Sequence, residues 1–166
     1  APGRGPVEAR ELLKQATAQQ KAGDHDAAIE SLRQAYREIA RDSIQYTVAT
    51  YLRLPLYLDK AGRQEEAWAE FERLLREGFP HQHPDGKTMD AALIYDKMRL
   101  TAQREKWHDA AIDYGIRSYR AELEAQPKSV QKKMRTREYV TSVVEPLLKK
   151  AKRLDELDRF VDELTE

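Results

Sequence analysis

The sequence predicts an all-α protein, a stack of about four antiparallel helical hairpins, and three observations carry that expectation. The first is a turn that recurs four times. Lys21-Ala22-Gly23-Asp24-His25-Asp26-Ala27-Ala28-Ile29 aligns without a gap with Lys60-Ala61-Gly62-Arg63-Gln64-Glu65-Glu66-Ala67-Trp68. Arg104-Glu105-Lys106-Trp107-His108-Asp109-Ala110-Ala111-Ile112 repeats the string His-Asp-Ala-Ala-Ile, and Lys150-Ala151-Lys152-Arg153-Leu154-Asp155-Glu156-Leu157 keeps the order cation, small residue, cation, acid. With Gly23, Gly62, Lys106 and Lys152 as equivalents, the spacings are 39, 44 and 46 residues, a helical-repeat period. The second observation is that apolar residues recur at helical spacing on both sides of each turn. The third is composition: 166 residues, 35% charged and 40% hydrophobic, with only seven glycines and seven prolines, enough chain for a continuous helical core.

Residues 1–6 read as a flexible leader, and 7–166 as one helical domain. The first helix is expected at about 7–22, burying Leu12, Leu13 and Ala16, and the second at about 25–41, burying Ala28, Leu32, Ala35 and Ile39. Between them, Lys21 meets the negative end of the first helix and Gly23 can take the left-handed conformation that closes it. Acids follow at the positive start of the second. Asp42 and Ser43 offer an N-cap for a third helix running to Ala61, with Pro55 inside it to remove a backbone hydrogen bond and kink it. The stretch Tyr51 to Leu58 is apolar on more than one side, as a helix packed between neighbours should be. The fourth helix spans about 64–77 and ends at Gly78, and the irregular segment Phe79–Lys87 follows.

Helices at about 88–104 and 107–125 make the third hairpin, and Pro127 sits in the linker after it. A long seventh helix opens at Ser129 with the stripe Val140, Val143, Val144, Leu147, Leu148 and Ala151, broken or kinked at Pro146. The eighth covers about 154–165, so the hairpins lie at about 7–41, 43–78, 88–125 and 129–165. Lys106 and Lys152 must close their helices at a conformational cost that Gly23 and Gly62 avoid.

The positions Gly23, Ala28, Leu32 and Ala35, and again Gly62, Ala67, Phe71 and Leu74, resemble the tetratricopeptide (TPR) repeat family. The third unit matches over Trp107–Ile112 and then carries Gly115 where a bulky residue is expected, and the fourth matches in its turn and at Leu157. The period here is longer than the family's, and Pro80 and Pro127 fall near the position of its usual proline. The resemblance implies a right-handed α-solenoid in which the alanines mark close helix crossings. It also implies that the first helix of each hairpin lines a concave groove for a segment of a partner protein. The polar residues it assigns to that groove are Arg10, Thr17, Lys21, Arg53, Lys60, Lys97, Arg104 and Lys149. Most are cations, which fits a ligand bearing carboxylates. The family's chaperone-tail binders clamp with asparagines, which are absent here, with Thr17 where one would stand.

Composition narrows the remaining classes. Twenty-nine basic and 29 acidic side chains leave a net charge of zero, so there is no global field to gather nucleic acid or anionic lipid. No apolar run approaches the length of a membrane span. The absence of cysteine removes disulfides, thiolate catalysis and cysteine-type zinc sites. The chain begins without a methionine, which reads as a processed or truncated start; a cytoplasmic location is expected, with periplasm or secretion left open. There is no glycine-rich phosphate loop, serine nucleophile elbow, paired helical histidine motif or kinase signature, so no catalytic residue, cofactor or metal is expected.

Two features keep other readings open. His81, His83 and Asp85 alternate along one segment and could turn toward a divalent ion, but three ligands at such short spacing seldom make a tight site. Lys128–Arg153 carries nine basic and two acidic residues, a net of plus seven, and Leu154–Glu166 a net of minus five. That basic segment is the alternative route to function, a nucleic-acid-associated helical repeat. Against it, no aromatic is interleaved within 128–137, and the basic residues can answer the adjacent acidic helix. A protein-binding scaffold or adaptor is therefore the leading expectation.

Overall fold

The structure, a computed structural model, describes the backbone of residues 6–42, 46–79 and 87–165, and the side chains of 8–39, 46–79 and 90–165. The described residues are all helical, without a strand. The chain folds as two compact units, 1–83 and 84–166. The first holds α1 (Pro6–Lys21), α2 (His25–Asp42), α3 (Val48–Lys60) and α4 (Gln64–Glu77). The second holds α5 (Lys87–Arg104), α6 (His108–Ala125), α7 (Lys128–Gln131), α8 (Thr136–Tyr139), a π-helical segment (Val140–Val144), α9 (Glu145–Lys150), a 3₁₀ turn (Leu154–Glu156) and α10 (Leu157–Thr165).

The four equivalent turns share one construction. Gly23, Gly62, Lys106 and Lys152 have φ of 82°, 79°, 64° and 59°. In each turn the next residue's N–H reaches back five residues: Asp24 to the Gln19 carbonyl (2.9 Å), Arg63 to Leu58 (2.9 Å), Trp107 to Ala102 (2.9 Å) and Arg153 to Leu148 (2.8 Å). The left-handed residue itself bonds three back, to Gln20, Asp59, Gln103 and Lys149. This is the paired closure of a Schellman motif, which satisfies the last carbonyls of the helix. Lysine therefore takes the glycine conformation in the third and fourth turns.

In the first unit α1 packs on α2, α2 on α3 and α3 on α4. Ala28, Ile29, Leu32, Ala35 and Ile39 of α2 are buried, as are Tyr51, Leu52, Leu54 and Leu58 of α3 and Ala67, Phe71 and Leu74 of α4. The helical stripe read from the sequence is the stripe that is buried, except that Leu12 is only half-buried. The third helix starts later than expected: α2 continues through Asp42, and α3 opens at Val48 after Thr47, so Asp42 does not cap it. Ser43 lies outside the described residues, as does most of the irregular segment before α5.

Helix α3 continues through Pro55, with a side chain of α2 packed beside it. Proline cannot donate to the carbonyl four residues back, that of Tyr51. The half-buried Tyr36 hydroxyl of α2 donates to the Thr50 carbonyl at 2.6 Å, with the Tyr51 carbonyl at 3.4 Å.

In the second unit α5 packs on α6, α6 on the π segment and α9, and α10 on α8 and the π segment. The expected long seventh helix is broken into α7, α8, the π segment and α9, with the disruption beginning well before Pro146. Glu145 donates to Val140, five residues back. A π turn widens the helix by one residue, which gives the Pro146 ring room beside the preceding turn. The core still holds the predicted stripe: Val140, Val144, Leu147 and Leu148 are buried.

Gly115, out of place as a core residue, is explained by what crosses it. The Tyr139 hydroxyl donates to its carbonyl at 2.9 Å, and a Cβ there would lie 3.2 Å from Cδ of Arg99. Tyr139 also stacks on Tyr119 with ring centroids 4.5 Å apart, and burial raises its phenol to about 12 against the pull of the Arg99 cation.

Candidate functional site

Of the eight expected groove residues, Thr17 and Arg53 form a brace, and the other six are cations. Arg53 of α3 donates through one nitrogen to the Leu13 carbonyl (3.1 Å), to Thr17 Oγ1 (2.6 Å) and to the Tyr57 hydroxyl (3.1 Å), and it lies over the Tyr57 ring. Thr17 in turn donates to the Leu13 carbonyl at 3.1 Å. The structure thus brings Thr17 and Arg53 together, as a tie between α1 and α3 made through one of the three guanidinium nitrogens.

Arg10, Lys21 and Lys60 are exposed and make no ion pair among the described residues; Lys97 is half-buried and likewise unpaired. Arg104 is exposed and donates weakly to the Leu100 carbonyl. Lys149 pairs with Glu145 at 3.7 Å. The turn register selects a different member of this pair of lysines. Lys21, Lys60, Arg104 and Lys150 each stand two residues before the left-handed residue, so every turn carries one exposed cation at the same place. Lys150, the opening cation of the fourth turn in the sequence, and not Lys149, is the counterpart of Lys21, Lys60 and Arg104.

A second recurrence lies on the other side of the turns. Arg63 forks onto Glu66 (3.0 and 2.7 Å) and reaches Asp26 at 3.2 Å, tying the turn before α4 to the start of α2. Arg153 forks onto Glu156 (2.5 and 2.9 Å) and reaches Asp109 at 2.7 Å, tying the turn before α10 to the start of α6. Asp26 and Asp109 are the same residue of the His-Asp-Ala-Ala-Ile string. The arginine hydrogen bonds hold the Glu66 carboxyl below its ordinary value and that of Glu156 down at about 2; Arg33 and Arg159 add to the effect at each. These arginines are structural clamps and are spent.

The histidines of the repeated string differ. His25 Nδ1 meets Gln20 Oε1 at 2.9 Å. Gln103, the counterpart of Gln20, is taken by Arg99, and His108 Nδ1 finds no partner among the described residues. No group of three potential metal ligands occurs among the described residues, and His81, His83 and Asp85 lie outside them.

The basic segment is partly neutralised. Arg135 pairs with Glu138, Arg137 with Asp158 at 3.6 Å and Arg153 with Glu156. Lys128, Lys132 and Lys133 of this segment, and Arg120 of α6, are exposed without an ion pair among the described residues. Two hollows open on the second unit. One, of about 590 Å³, lies between α5 and α6, where Arg117 is held by Asp113 and Tyr95. The other, of about 680 Å³, is walled by the ends of α6 and α10 and by α7.

These features define an all-helical chain of paired hairpins with inter-hairpin arginine clamps and no helix, among the described residues, long and apolar enough to cross a membrane. Neither a family model, nor a curated protein, nor a solved structure matches it.

Proposed function

We propose that this chain is a TPR-like helical-repeat adaptor: a right-handed stack of hairpins whose first helices take a carboxylate-bearing segment of a partner protein, without enzymatic chemistry. The observation that carries the reading is the recurrence of one exposed cation, Lys21, Lys60, Arg104 and Lys150, at the same place in four turns of one construction. Cations at those places also offset the negative helix ends, so they stabilise each hairpin whether or not a ligand is bound. Within one unit Lys21 and Lys60, and within the other Arg104 and Lys150, can each meet an acid of a bound segment, and several weak contacts raise affinity. Arg10, Thr17, Lys97 and Lys149 complete the first-helix surface, and Arg53 shapes it from within.

The test is affinity capture with the triple variant Lys21→Glu, Lys60→Glu, Arg104→Glu. Each reversal also removes a favourable charge from a helix end, about 0.3–1 kcal/mol, so the variant should melt lower than the wild type. At a temperature where both are folded, proteins retained by the wild type should be lost. Retention of generic single- or double-stranded nucleic acid at physiological salt, abolished by Lys132→Glu, Lys133→Glu, Arg135→Glu, would replace the adaptor reading with a nucleic-acid one.

A further inference from the structure

We infer that the hollow between α6, α7 and α10 is a second binding site, built to take a short peptide segment in which an aliphatic side chain is flanked by carboxylates. It is formed by the ends of α6 and α10 together with α7 and the residues that lead into α8, and none of the eight residues expected at the groove lines it. Apolar and polar side chains share its wall: Leu164 is buried and Leu123 and Met134 are half-buried, beside Gln131, Thr136 and Thr165. At the opening stand Arg120, Lys128 and Lys132, all exposed and none ion-paired among the described residues. Of the two acids there, Glu163 is already held by Arg159 at 2.9 Å, which leaves Glu124 against three cations.

The chemistry of the walls selects the occupant. A volume of about 680 Å³ is far more than a single carboxylate or phosphate fills and lies in the range of small-ligand pockets. The apolar part of the wall gains from desolvating an aliphatic side chain, whereas a bare phosphate gains nothing from it. Nucleic acid would ask for aromatic side chains on which bases stack, and the hollow is lined by none. An acidic and aliphatic peptide satisfies both surfaces at once, with charge placed at the solvated opening where it steers binding without a burial penalty.

The experiment measures fluorescence anisotropy with four labelled probes on the full chain. They are a peptide of alternating glutamate and leucine, its lysine and leucine counterpart, one of glutamate and serine, and oligothymidylate. Saturable binding of the glutamate and leucine peptide is expected, with the other three markedly weaker. Lys128→Glu combined with Lys132→Glu should reduce the affinity roughly tenfold, and Met134→Lys should also weaken it. Amide shift mapping on the unmodified protein should place the peptide at α7 and the ends of α6 and α10. Absence of saturable binding, equal binding of the glutamate and serine peptide, or tighter binding of oligothymidylate would overturn the site. So would amide shifts confined to α1, α3 or α5, a result that would leave the first-helix surface of the adaptor reading standing.

Discussion

Lys106 and Lys152 close their helices in a backbone conformation that glycine adopts freely and that a residue with a Cβ does not. The left-handed region costs a non-glycine residue about 1–2 kcal/mol, part of which glycine returns through its greater freedom in the unfolded chain. Lys106→Gly and Lys152→Gly should therefore each stabilise the protein by about 0.5–1 kcal/mol, read from urea melts at neutral pH. Destabilisation by either change would mean that its lysine makes an interaction worth more than the strain. The same logic shows why only part of this chemistry was legible from residue identity. Gly23 and Gly62 announce their turns, since the space around each is open and only the positive φ demands glycine. The lysine turns were found by alignment to them, and the strain at Lys106 and Lys152 was the expected cost. Gly115 had no such signal, because the reason for it, the Tyr139 hydroxyl and the Arg99 side chain, comes from elements far along the chain.

Among the elements, the helices with strong apolar periodicity, α2 and α4, fell where the pattern put them, while the segment before Lys152 did not. Its stripe of valines and leucines has the right spacing to be buried, but periodicity cannot say that a π turn precedes Pro146 or that α7 and α8 are separate. Those breaks depend on a proline ring and on packing against α6 and α10. The first unit carries its proline within a continuous helix beside Tyr36, and that arrangement is testable. If the Tyr36 hydroxyl reaches the Tyr51 carbonyl as well as that of Thr50, Tyr36→Phe should cost about 0.5–1.5 kcal/mol through the hydrogen bonds it loses. Pro55→Ala, by restoring an N–H to donate to Tyr51, should make the same tyrosine change distinctly cheaper. A double-mutant cycle by chemical denaturation gives the coupling directly. A coupling of zero would show that Tyr36 is held by its bond to Thr50 and its tilted ring contact with Tyr51, independently of Pro55.

At the scale of the whole molecule, the first and third hairpins share one string and the second and fourth share one arginine, so each compact unit is built to the same plan. His25 and His108 lie 83 residues apart, as do Tyr36 and Tyr119, and Arg63 and Arg153 lie 90 apart. Each unit pins its second hairpin to its first through an arginine that grips a glutamate in its own turn and an aspartate in the other. Such exposed clamps contribute through geometry and charge together, and acid removes the charge. Glu156 has a folded value of about 2 against an ordinary 4.5, so its contribution is fully present above 4.5 and is lost as pH falls through about 2. Glu66 follows the same sign in the first unit. Arg153→Gln should lower the melting temperature by a few degrees near neutral pH, and its melting temperature should then fall less steeply with acidification than that of the wild type. The two should converge once Glu156 is protonated, because the clamp is then absent from both. A difference that persists undiminished at the acid end would show that Arg153 acts by packing, and the repeated arginine would then be a spacer between hairpins and not an electrostatic tie.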